Sequence, residues 1–325
     1  MAKEPSFQKI DYRVRPGKSA ERKMLSEAFQ RLSFFKHVEN YRYIGFGSTT
    51  FTDFILFHRY LNIRNMISIE KREDYKERFN FNKPFDCIEI YYGDSNNILP
   101  TLSWDIPTIV WLDYDGRLTE SVLTDVAYIS ANAISGNMLI VTVNAATYPK
   151  DPKVPDSEVL KNRLQEFKKE VGTDKVPSDI QGKNLEGKEM PKTCRRIIEN
   201  EIEQVLRDKN GLYLPENQMR YQSLFNFIYR DGAKMMTIGG IFYKTSDERT
   251  LNQCQFDKLT FVNKAEAPYE IDIPVMTPRE RYYLNQRLPQ GLSREAEVIG
   301  LTETEINNYA RLYRYCPAFA EVELS

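Results

Sequence analysis

Cysteine and histidine are scarce in this 325-residue chain, with four of the first and two of the second. Cys87, Cys194, Cys254 and Cys316 are scattered and form no C-x-x-C pair, which argues against a disulfide framework and a cysteine zinc site and fits reduced thiols. Of the histidines, His58 falls on an expected helix and reads as structural, and His37 lies just before the first expected strand. Net charge is nearly absent, at −1, so nothing global draws the chain to nucleic acid, and any such contact needs a local basic patch. Long apolar runs are missing too. The longest, near Met138–Val143, is far too short to span a bilayer, and Met1–Asp11 lacks the apolar stretch of a secretory signal. The reading is a cytoplasmic protein with no membrane partner. There is no G-x-x-x-x-G-K-[ST] loop, which argues against phosphate transfer, and no recognisable site for hydride transfer. Repeats and low-complexity tracts are absent. What remains is 41% hydrophobic and 28% charged, with 20 tyrosines and 18 phenylalanines for core and surface, in a chain long enough for one large domain or two small ones.

The chain is organised around Tyr41–Asp115. Tyr41–Ile44 is β-prone, Gly45-Phe46-Gly47-Ser48 breaks it, and Thr49–Leu61 has helical spacing. Three further apolar runs follow: Met66–Ile69 closed by Glu70, Ile88–Tyr92 followed by Gly93-Asp94-Ser95, and Thr108–Leu112 closed by Asp113-Tyr114-Asp115. Strands ending in polar residues describe a parallel sheet with a ligand site along its C-terminal edge. Gly45 and Gly47 let the backbone approach a ligand, while Ser48, Thr49 and Thr50 offer hydroxyls and helix N-terminal N–H groups. Glu70, a little over 20 residues on, is placed to accept from the hydroxyls of a ribose. Asp94 can accept from the exocyclic amine of an adenine, or can form an Asx turn or helix cap. Asp113 and Asp115 can serve as a base, a cation site or contacts to a positively charged ligand; the alternative is a turn with Asp115-Gly116 at its tip.

Around this stretch, Ser19 is expected to cap a helix running through about Phe35, preceded by an arm whose Arg13, Arg15 and Lys18 read as solvated, with closure over an anionic substrate as the alternative. Ser121–Ala133 reads as a helix and Met138–Val143 as a fifth strand with Asn144 at its end. Helices are then expected over Ser157–Val171, Lys192–Lys209 and Pro215–Tyr229, with a mobile loop at Gly172–Pro191. This insertion is a natural cover for the site. Its Lys161, Arg163, Lys168, Lys169, Arg195 and Arg196 read as a solvated face, with contact to phosphates as the alternative. Ala233–Lys244 and Phe256–Val262 read as an antiparallel strand pair, with Tyr269–Ile273 a further candidate. Thr277-Pro278 opens one closing helix and Thr302 another.

The pattern over Tyr41–Asn144, with the terminal strand pair, resembles the class I S-adenosylmethionine-dependent methyltransferases. The resemblance implies an α/β fold: a doubly wound, mostly parallel seven-stranded sheet, Rossmann-like, with a helical insertion after strand 5. It divides the chain into an arm and helix (1–40), a cofactor-binding core (41–148), the insertion (149–232), terminal strands (233–275) and a C-terminal helical segment (276–325). It implies S-adenosylmethionine as cofactor, held by Gly45, Phe46, Gly47, Ser48, Glu70, Lys71, Asp94, Ser95, Asp113 and Tyr114. Methyl transfer is in line with the sulfonium, and Asp113 or Asp115 takes the acceptor's proton. Tyr41-Arg42-Tyr43 stands where the family usually has an acid, and Ser48-Thr49 replaces its third glycine. These departures motivate the alternative of a catalytically degenerate binding or scaffold subunit. With no Asn-Pro-Pro-Tyr after the fourth strand and no Pro-Cys pair, base amino and cytosine C5 methylation are not expected. Leu112-Asp113 with Asn144 is somewhat like metal-dependent O-methyltransferases, but Val143 stands where those carry an acid, so no metal site is read unless Asp115 substitutes. A small molecule, a protein and an RNA all stay open as substrate.

Overall fold

Alternation along the strands builds the two layers of this molecule. In the computed structural model, which describes residues 15–150, 152–262, 267–290 and 300–317, the fourth strand shows it most simply. Successive side chains of a strand point to opposite faces. Ile109 and Trp111 therefore enter one apolar cluster while Val110 and Leu112 enter another. The sheet between the clusters has eight strands: β1 (Arg42–Gly45), β2 (Asn65–Glu70), β3 (Ile88–Tyr92), β4 (Thr108–Asp113), β5 (Met138–Asn144), β6 (Met219–Asp231), β7 (Ala233–Lys244) and β8 (Tyr269–Ile271). Their order is β3-β2-β1-β4-β5-β7-β6-β8. The first five are mutually parallel, β7 runs antiparallel to both β5 and β6, and β8 pairs parallel to β6. The expected sheet had seven strands; the eighth is the short edge strand β8.

One face is covered by α1 (Pro16–Gln30) and α2 (Thr52–Leu61), which bury Met24, Leu25, Phe29, Phe54 and Phe57 against Tyr43 and Trp111. Between β2 and β4 the crossovers are short: α3 (Lys76–Asn82) and α4 (Ser95–Ile98). The other face carries α5 (Glu120–Asn132), α6 (Val159–Val171) and α7 (Glu189–Asn210), whose Val122, Val126, Phe167, Ile197 and Ile198 pack on Val110, Val141 and Ile238. A short α8 (Glu248–Gln253) returns to the first face through Leu251. The closing helices α9 (Pro278–Asn285) and α10 (Glu303–Leu312) share a small cluster of Met276, Leu284 and Tyr309. Both open with a reciprocal capping box, Thr277 with Glu280 and Thr302 with Glu305, as the sequence led one to expect for the two threonines.

Four expectations fail for physical reasons. Pro215–Tyr229 is not a helix: Pro215 opens only a turn over Pro215–Asn217, and the aromatics that follow are strand β6. There Phe225, Phe227 and Tyr229 alternate into the first cluster. Phe256–Val262 is not a strand. It is a turn whose Phe256, Leu259 and Phe261 plug that same cluster, so the antiparallel partner of β7 is β6. Gly172–Pro191 is no open loop, since Val176, Ile180 and Leu185 are buried and Gly182 lies so close to Leu160 that a Cβ would stand 2.2 Å from its carbonyl oxygen. Helix α1 starts at Pro16, not at a Ser19 cap.

Mid-strand glycines shape the hairpin. The β6–β7 register shifts between Ser223 and Phe225, opposite Gly240 and Gly239. A Cβ on Gly240 would stand 2.1 Å from the Gln222 carbonyl oxygen. Glycine is the residue that lets a bulged strand come this close.

Candidate active site

The pairing registers align the strand tips. Gly45 lies opposite Ser68 on β2 and Trp111 on β4, Glu70 lies opposite Tyr92 on β3, and Asp113 lies opposite Thr142 on β5. The polar residues after each tip therefore meet at one edge, around a cavity of about 540 Å³. Phe46, Gly47, Ser48, Glu70, Lys71, Asp94, Ser95, Asp113, Tyr114 and Asp115 all line it. Thr50 lines it too, whereas Gly45 and Thr49 do not; Gly45 sits where a Cβ would lie 2.6 Å from the Tyr43 hydroxyl.

The glycine turn and Glu70 form one unit. The Ser48 N–H donates to Glu70 Oε1 at 3.0 Å, the Ser68 hydroxyl donates to the same oxygen at 2.7 Å, and the Gly47 N–H donates to Ser68 Oγ at 2.9 Å. The loop folds this tightly because Ser48 and Phe51 both take left-handed backbone, at φ of 54° and 46°. That is costly for residues with a Cβ and typical of sites where the surroundings enforce it. It is also why α2 starts at Thr52 and not at Thr49. A Cβ on Gly47 would meet the Phe51 ring at 2.5 Å. Burial pushes the Glu70 carboxyl up to about 7, against the pull of its hydrogen bonds.

Asp125, on α5, passed unremarked in the sequence and holds the next part of the rim. The hydroxyls of Ser95 and Tyr114 both donate to its Oδ2, and the Asn96 amide donates to Oδ1. Buried at 1% exposure, its carboxyl is raised by desolvation. Tyr114 then stands edge-on to Phe46, ring centroids 5.2 Å apart. Asp94 pairs with Lys71 at 2.5 Å across the exposed rim. A lone aspartate on a helix face carries no sequence signal for this task; only its three partners reveal it.

Asp113, Asp53 and Arg22 also line the cavity. Asp53 accepts from the Tyr43 hydroxyl, and burial raises its carboxyl. The family resemblance looked for an acid before the first glycine; here a buried acid comes from the first turn of α2 instead, with Tyr43 in the expected place. The reading of Lys18 and Arg15 as solvated is overturned. Lys18 is fully buried, with Nζ 2.7 Å from Asp113 Oδ1 and 2.8 Å from Glu21 Oε2, and Arg15 lies 3.8 Å from Asp231. Arg13 lies outside the described residues.

The insertion does not cover the site: no residue of 149–232 is among the cavity's described lining. Its Arg163, Arg195 and Arg196 pair with Glu186, Glu199 and Asp179. His58 Nδ1–H donates to the Ile63 carbonyl at 2.8 Å, and the ring packs on Phe85, a structural role. Asn144 turns its side chain to the Ala146 N–H at 2.9 Å. Among the described residues no cluster of three acids, histidines or cysteines is placed to hold a metal, and no helix is long and apolar enough to cross a membrane.

A family model described as "Putative O-methyltransferase" matches residues 10–324. No curated protein sequence matches. Three solved structures are similar at low identity. Trm1 from Pyrococcus horikoshii, in complex with S-adenosyl-L-methionine, has 11% identity and a TM-score of 0.46, over 71% of this chain and 57% of that one. Cofactor-bound Rv0187 from MTB has 12% identity and a TM-score of 0.37, over 67% and 80%. The O-methyltransferase TomG from Streptomyces achromogenes, in complex with SAM, has 13% identity and a TM-score of 0.35, over 67% and 89%.

Proposed function

The chain belongs to this O-methyltransferase family, and from that premise we propose that it binds S-adenosylmethionine along the aligned strand tips and transfers the methyl group to a hydroxyl. The observation that carries the reading is the convergence of the Gly47–Ser48 turn and Glu70 on one wall of the cavity. Glu70 takes the ribose hydroxyls, and the N–H groups of the turn and the start of α2 face the methionyl end. Asp94 and Ser95 meet the adenine edge, with Lys71 at the rim, and Phe46 and Tyr114 supply flat apolar contact. Asp113 meets the cationic end of the cofactor.

The cofactor supplies an activated methyl group. The chain supplies alignment, which in reactions of this kind is worth about 7–11 kcal/mol. It also supplies a carboxylate for the proton of the acceptor. Of the two acids after β4, Asp113 has one oxygen on Lys18, and Asp115, which also lines the cavity, is assigned as the proton acceptor. A cavity of this size is within the ordinary range for small-molecule sites, about 300–1,000 Å³. A small hydroxylated acceptor fits beside the cofactor better than a folded protein or RNA.

The test is calorimetric titration of the full chain with S-adenosylmethionine and S-adenosylhomocysteine. Micromolar binding is expected, lost in Gly47→Val, where the added side chain collides with Phe51 and Ser68. No heat from the wild-type protein at millimolar ligand would overturn the reading in favour of a binding or scaffold subunit.

A further inference from the structure

The first helix reaches into the site in a way that the cofactor contacts leave unused. Its N-terminus is capped by a carboxylate from the far end of the sheet: the N–H groups of Gly17 and Lys18 donate to the two oxygens of Asp231, at 3.0 and 2.8 Å. From that fixed start Lys18 passes under the tip of β4. Its ammonium lies between Asp113 and Glu21, 4.1 Å from the centre of the Trp111 ring. Lys18 and Glu21 have no exposed side-chain surface, whereas Asp113 keeps 24% of its side chain exposed and lines the cavity. A ligand in the cavity therefore meets Lys18 through Asp113.

Buried ion pairs add little to stability over apolar side chains of the same size, and a third buried charge makes the arrangement dearer. Burial raises the Glu21 carboxyl, so the cluster is kept against a cost. The surroundings explain why. Asp113 is influenced by Glu21 from α1, by Asp53 from α2, and by the Tyr43 and Tyr229 phenols from β1 and β6. Arg22 acts on Asp53 and Tyr43, and Arg15 and Asp231 act on Tyr229. Lys18 is in direct contact with Asp113.

We propose that Lys18 is the positioning residue of Asp113: it holds one carboxylate oxygen beneath the strand tip, so that the other oxygen is presented to the ammonium of the cofactor's methionyl end. This rests on the cofactor reading above. Lys18 touches neither cofactor nor acceptor and acts through Asp113 alone.

The experiment measures S-adenosylhomocysteine binding by calorimetry for wild type, Lys18→Met, Lys18→Arg, Asp113→Asn and the Lys18→Met/Asp113→Asn double variant. Lys18→Met binds about tenfold more weakly than wild type. In the Asp113→Asn background the lysine substitution changes nothing, because its effect runs through the carboxylate. Lys18→Arg restores wild-type binding. Should Lys18→Met fail to fold, Lys18→Met/Glu21→Gln, which removes the buried acid together with its cation, takes its place in both backgrounds. A purely structural lysine would weaken binding by the same factor in both backgrounds, and that result overturns the proposal. Absence of any heat with wild-type protein overturns the cofactor reading, and this inference with it.

Discussion

Glu70→Gln is expected to make the protein more stable and worse at binding its cofactor, and the two effects share one cause. The Glu70 carboxyl, ordinarily near 4.5, is pushed up to about 7 by burial. At about 1.4 kcal/mol per tenfold change in proton affinity, that gap is worth about 3 kcal/mol. The folded state holds the Glu70 proton more tightly than the unfolded chain does, so between these two values folding takes up a proton and stability falls as pH rises. Below pH 4.5 the carboxyl is neutral in both states and the penalty vanishes; above pH 7 it is fully present. Glutamine keeps an oxygen for the Ser48 N–H and the Ser68 hydroxyl and carries no charge to desolvate. Urea melts at pH 5, 7 and 8.5 are the assay. The variant should exceed wild type by about 3 kcal/mol at pH 8.5, with the difference shrinking to about 1 kcal/mol at pH 5. Calorimetry on the same samples should show the cofactor product bound about tenfold more weakly at pH 8.5. A hydrogen bond to a charged acceptor is worth roughly 1.5–3 kcal/mol and a neutral one about half of that. A stability difference that does not change with pH would refute the reasoning, because it would mean that Glu70 is not held neutral by burial.

Substitutions at Gly240 and Asp125, each with a control, test the frame around the site. Gly240→Ala forces a methyl group against the Gln222 carbonyl and the Tyr221 ring. It should cost about 1–3 kcal/mol in urea unfolding, whereas Gly116→Ala, with nothing within 4 Å of the added carbon, should cost little. Asp125→Ala leaves the Ser95 and Tyr114 hydroxyls without their acceptor. It should weaken S-adenosylhomocysteine binding by about tenfold while Asp125→Asn weakens it less, the loss of a buried partner being worth roughly 1–3 kcal/mol.

The parallel half of the sheet was legible in the sequence because its signals are local. Each strand is a short apolar run, and the residue that stops it, Glu70 or Asp113, is also the residue that faces the cavity. The hairpin was not legible. Pro215 is an ordinary way to open a helix, and the run Met219–Asp231 mixes Arg, Gln, Ser and Asn with its aromatics, so its period of two is blurred, the more so by the bulge at Ser223. The missed site residues share one feature. Lys18, Asp53 and Asp125 are charged residues on helices, where an exposed position is the ordinary expectation. Each is buried because a partner from another element meets it, and no spacing within its own helix records that partner.

The cap that Asp231 places on the first helix has a consequence for the order in which the molecule can be made. Gly17 and the residue that holds its N–H group are 214 positions apart. A chain growing from its N-terminus presents the glycine turn, Glu70 and Asp113 long before the ribosome has supplied the hairpin that anchors Lys18. Contacts at such separation are slow to form and come after local ones. Gly47, Glu70 and Asp113 are therefore synthesised before the acceptor for the first helix's N–H groups exists. A chain stopped short of Asp231 would carry Lys18 on a helix whose first N–H groups lack that acceptor.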